Sequence, residues 1–128
     1  MVIVSLPHGR YPAVLAQLEA SAGFVSMTRD TAEITLILGE SEWEAMAAAF
    51  PDALVRRGYR LIRFATVLDF SIVGFMAEVA QLLAAAGISI LAISTWQTDA
   101  LLVEARHLTT AVEILASSEK LAAIIDRE

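Results

Sequence analysis

The sequence predicts an α+β fold made of two ferredoxin-like halves in tandem. Three observations predict it. Short β-branched runs alternate with helices of apolar spacing, two pairs of such runs are split only by turn residues, and the order strand, helix, hairpin, helix occurs twice. The repeat spacing is roughly sixty residues, and one such unit would bury only one face of its sheet.

The elements follow in order. Residues 2–6 form a β-branched run ended by Pro7. Residues 11–20 carry Val14, Leu15 and Leu18 at helical spacing, with Gly23 as a stop. Residues 24–28 and 33–38 predict a hairpin around Arg29, Asp30 and Thr31. Ser41 and Glu44 have capping-box spacing, opening a helix that Pro51 ends at Phe50. After Gly58, residues 59–68 predict a long strand and residues 71–86 a helix closed by Gly87. Residues 88–96 and 100–104 are the next two strands, turned by Gln97, Thr98 and Asp99, and residues 108–116 are the last helix. The tail, 120–126, fits either a short helix or an edge strand. Domain boundaries are expected at 1–57 and 58–128, the two packed as one compact body.

Composition narrows the function. Hydrophobic residues make up 57% of the chain and charged residues 19%, a surplus that calls for a subunit interface as well as a core. The helix at 71–86 is apolar on both flanks, so a second layer over it is expected. No apolar run reaches the roughly 18 residues of a membrane span. The N-terminus lacks a basic region before an apolar core, and the chain has no cysteine. A cytoplasmic protein is expected. A net charge of −6 argues against broad attraction to nucleic acid. Arg56, Arg57, Arg60 and Arg63 form a local exception, readable as a solvated strand edge or as an anion-binding patch.

Catalytic signatures are missing: there is no phosphate loop, dinucleotide fingerprint, zinc-protease motif or nucleophile elbow. His8 and His107 have no paired metal-ligand spacing. A non-enzyme without metal or cofactor is expected. The junction containing Asp69, Ser71 and Gly74 offers helix-opening amides that favour an anion, and Gly74 leaves room for a ligand backbone. Ser71 as a plain cap, with Asp69 complementing the helix dipole, explains the same residues. Ser94, Thr95, Thr98 and Asp99 bracket the second hairpin, where Asp99 either receives a cation or serves its own turn. Trp43 and Trp96 fit packing roles, and Trp96 adjoins the candidate site.

The run from Leu68-Asp69-Phe70-Ser71 and Gly74 through Ala86-Gly87-Ile88, Ile93-Ser94-Thr95 and Thr98-Asp99 to Leu102-Val103 resembles the ACT domain. It is similar in particular to the tandem branch that includes the CASTOR-type arginine sensors. Residues 24–28 and 33–35 resemble a degenerate first unit of that branch. The resemblance implies βαββαβ units, an antiparallel sheet with helices on one face, and edge-to-edge pairing of units. It also implies amino-acid binding at an ACT–ACT interface, in a regulatory homodimer. Carried over, the ligand-binding positions are Ser71, Val73 and Gly74 in the strand–helix loop, and Thr95, Trp96, Thr98 and Asp99 in the hairpin; Asp69, at the same junction, joins them as a candidate ligand-binding residue. A structural dimerisation module without ligand is the alternative reading.

Overall fold

Burial alternates along residues 2–7, and Val2, Val4 and Leu6 with Ile34, Leu36 and Leu38 form the sheet face that meets the helices. The structure, a computed structural model, describes residues 1–64, 74–97, 99–118 and 125–127, and divides into two units, Met1–Gly58 and Tyr59–Glu128. Unit 1 runs β1 (Val2–Pro7), α1 (Tyr11–Leu18), β2 (Val25–Arg29), β3 (Glu33–Leu38), α2 (Glu40–Met46) and β4 (Leu54–Arg56). Its antiparallel sheet has the order β2-β3-β1-β4. Val2, Val4 and Leu6 pair with Leu38, Leu36 and Ile34, and this face packs on Val14, Trp43, Met46 and Phe50. Both helices therefore cover one face.

Two details of unit 1 differ from the sequence reading. The capping box does not form: α2 starts at Glu40 with Gly39 as its N-cap, and no side chain caps it. Glu44, whose carboxylate the box requires, pairs with Arg57 instead. Glu42 accepts a hydrogen bond from the Ser21 hydroxyl at 2.6 Å, tying the end of the α1 connection to α2. Strand β4 had no sequence signal of its own, since three residues are too few for alternation to show. Backbone pairing to Ile3, Val4 and Ser5 makes it an edge strand.

Unit 2 repeats the plan with β5 (Tyr59–Phe64), α3 (Phe75–Ala85), β6 (Leu91–Ser94), β7 (Asp99–Glu104), α4 (Leu108–Ser117) and β8 (Ile125–Arg127). Its order, β6-β7-β5-β8, matches that of unit 1. Each unit is thus a βαββαβ ferredoxin-like sheet. Ile62, Phe64, Leu101 and Val103 of the sheet pack on Val79, Leu83, Ala111 and Leu115 of the helices. Ile125–Arg127 pairs with β5, which settles that part of the tail as an edge strand.

Helix α3 begins later than expected. Gly74, at φ +83°, is its N-cap, so the helix opens at Phe75; residues 71–73, like 65–70 before them, lie outside the described residues. Its other end is as expected. Gly87 is left-handed at φ +72°, its amide donates to the Ala84 carbonyl at 3.0 Å, and the Ile88 amide donates to the Leu83 carbonyl at 3.0 Å. Leu83 and Ile88 are both in the core, completing the helix-ending motif. That stop also delays β6 to Leu91, past the predicted start at 88. Gly87→Ala should cost ~1–2 kcal/mol through the left-handed backbone alone, since a Cβ there meets nothing within 4 Å. Urea unfolding of the variant checks this.

Ala77, Ala84 and Ala85 on the outer flank of α3 are exposed. Among the described residues, no helix is long and apolar enough to cross a membrane.

Candidate ligand-binding site

Register decides what stands at the end of the unit 2 sheet. Arg63 pairs with Ala100 and Ser94 with Asp99, so Asp99 closes the β6–β7 ladder opposite Ser94, at the end where Phe64 follows Arg63 along β5. Asp99 is the first residue of β7, where the sequence had put it in the turn. The difference matters for direction. Successive strand residues alternate faces, and Leu101 and Val103 face the helices. Asp99 therefore points to the helix side.

The start of α3 is on that same face and at that same end. Phe75, its first residue, meets Phe64 edge-on with ring centroids 4.9 Å apart. The first intrahelical bond runs from the Glu78 amide to the Gly74 carbonyl at 2.9 Å, so the amides of Phe75, Met76 and Ala77 precede it. With Gly74 exposed and a left-handed turn in front of them, these amides end the helix at its electropositive pole.

Asp99 is half-buried and Ser94 donates its hydroxyl to Oδ1 at 2.7 Å, which fixes the carboxylate. Thr95 and Trp96 are exposed at the hairpin tip, Trp96 at 84%. A rigid carboxylate beside a helix N-terminus can hold the two opposite charges of a zwitterion. Asp69, Ser71, Val73 and Thr98 lie outside the described residues. The structure thus brings Gly74 and Asp99 to one end of one sheet, with Thr95 and Trp96 at the rim. Phe64 and Phe75 were not foreseen as shaping the site, whereas Ser94 was among the residues bracketing the hairpin. The parity of Phe64 with Ile62 was the available signal for the first.

The arginine patch divides. Arg57 bridges Glu40 at 3.1 Å and Glu44, and these partners, Glu44 first, raise its already high pKa. For Arg57 the patch is an ion-pair cluster within unit 1. Among the described residues no group of three or more potential ligands could hold a metal ion.

The unit 1 hairpin is turned differently. Asp30 Oδ1 accepts the amides of Ala32 at 2.7 Å and Glu33 at 2.9 Å. Those bonds, Glu33 first, hold the Asp30 carboxyl below its ordinary 3.8. A folded pKa below the unfolded one adds stability above pH 3.8 that is lost as pH falls through the folded value. A carboxyl-detected NMR titration should place the Asp30 midpoint below 3.8, and a midpoint above it would contradict the turn bonds.

Residues 54–117, half of the chain, match the model of the ACT domain. Protein Atu0741 of Agobacterium tumefaciens has a similar structure, with 27% identity, a TM-score of 0.73, and coverage of 91% of this chain and 80% of that one. The ligand-free regulatory subunit of aspartate kinase from Thermus thermophilus shares the fold at 13% identity, with a TM-score of 0.66 and 91% of each chain covered. No curated protein matches the sequence.

Proposed function

The chain belongs to the ACT domain family, and from that premise we propose that it is a non-enzymatic regulator that binds an amino acid or similar zwitterion through unit 2. One observation carries the reading: the Ser94-fixed carboxylate of Asp99 stands on the helix side of the sheet, at the end where α3 starts. The ligand carboxylate sits on the amides that follow Gly74, with Asp69, Ser71 and Val73 completing the loop. Asp99 takes the cationic group, and Thr95, Trp96 and Thr98 form the rim. A second ACT unit, from another copy of the chain, closes the seam. A regulator of this kind works in the cytoplasm. It acts by biasing assembly, because a ligand shifts a state only through differential affinity.

Calorimetric titration of the full chain against the twenty amino acids tests the reading. Saturable heat from one or more supports it, and no heat from any contradicts it. The alternative is a dimerisation module without ligand, favoured by Leu91, 41% exposed on the edge strand β6. Thermal melts separate the two, since a bound ligand raises the melting temperature by mass action.

A further inference from the structure

The two hairpins run in the same register. In unit 1, Met27, Thr28 and Arg29 pair with Leu36, Thr35 and Ile34; in unit 2, Ala92, Ile93 and Ser94 pair with Leu101, Ala100 and Asp99. The connections are equal in length, residues 30–33 in one and 95–98 in the other. Facing agrees as well, with Leu36 and Leu38 in one core and Leu101 and Val103 in the other. On this match Ile34 stands at the place of Asp99, and Arg29 at the place of Ser94.

The chemistry at that place is reversed. Ile34 is fully buried and has no acceptor to offer a cation. The Arg29 guanidinium lies 3.9 Å over the ring of Tyr11, the residue that opens α1 as Phe75 opens α3. Arg10, just before it, is held to Asp52 at 3.0 Å. A permanent cation therefore spans from the hairpin to the helix start in unit 1, where unit 2 presents a carboxylate. The cationic group that Asp99 takes in unit 2 would meet a like charge at Arg29 in unit 1, and like charges repel. In unit 1 an arginine–tyrosine stack occupies the matching place.

We propose that each chain takes up one ligand, at the Asp99 end of unit 2, and that Arg29 on Tyr11 makes the matching end of unit 1 refuse it. The inference rests on the ligand reading given above and adds its stoichiometry and its charge. The test is calorimetry of the full chain with the panel of twenty amino acids, L-arginine and L-lysine included, on the parent, Asp99→Asn and Arg29→Ser. The expected result is one site per chain on the parent, at least tenfold weaker binding for Asp99→Asn, and for Arg29→Ser less than twofold change at that site together with a second, weaker uptake. Two equal sites on the parent, a tenfold loss confined to Arg29→Ser, or no second uptake in Arg29→Ser would overturn the inference and leave the ligand reading standing. Silence from all twenty on the parent removes both.

Discussion

Asp99→Asn should weaken ligand binding by about 10- to 100-fold. The substitution keeps size and leaves an oxygen for the Ser94 hydroxyl, so the 2.7 Å bond at Oδ1 has a replacement. What disappears is the negative charge. Hydrogen bonds to charged groups contribute about 1.5–3 kcal/mol, and 1.4 kcal/mol is a factor of ten in affinity. Because Asp99 is half-buried and fixed in place, little reorganisation is available to compensate. The melting temperature without ligand should hardly move, and the ligand-induced rise should shrink. An unchanged affinity in calorimetry would remove Asp99 from the site.

Trp43→Ala should have the largest effect on stability. Trp43 is buried in the unit 1 core, stacked on Phe50 with ring centroids 6.3 Å apart and an interplanar angle of 18°. With Met46 it is one of the two buried residues through which α2 reaches the face of Val2, Val4 and Leu6. Removing such a ring costs about 3–5 kcal/mol in transfer and cavity terms. A domain's whole stability is about 5–15 kcal/mol. The urea midpoint should fall sharply, and the melting temperature by ~10 °C or more. A loss below about 1 kcal/mol would mean that the core tolerates a cavity there.

Much of this was legible in the residues. The β-prone run at residues 33–38, set off from 24–28 by turn residues, marked β3 and its hairpin. Gly87 after a long apolar helix allowed only a left-handed stop. The failures have physical causes. Ser41 and Glu44 satisfy a local rule, yet Arg57, distant in sequence, captures the Glu44 carboxylate and the helix starts on Gly39. Asp99 looked like a turn residue because Thr and Asp favour turns. The ladder runs one residue further, and that step sets the side of the sheet on which its carboxylate stands. Three-residue edges such as β4 owe their form to a neighbour's unpaired backbone, which no local pattern records. Of the candidate site, Gly74 and Asp99 could be named from sequence. That Phe64 and Phe75 join them at one sheet end could not, because it depends on register.

Amide-detected NMR of the full chain, titrated with the amino acid that gives the strongest calorimetric signal, tests the central claim most directly. Shifts should concentrate at Gly74, Phe75, Met76 and Ala77 and at Ser94, Thr95 and Asp99, while Arg29, Ile34 and Tyr11 stay still. Saturating shifts centred on the unit 1 hairpin, or none at Gly74 and Asp99, would contradict it.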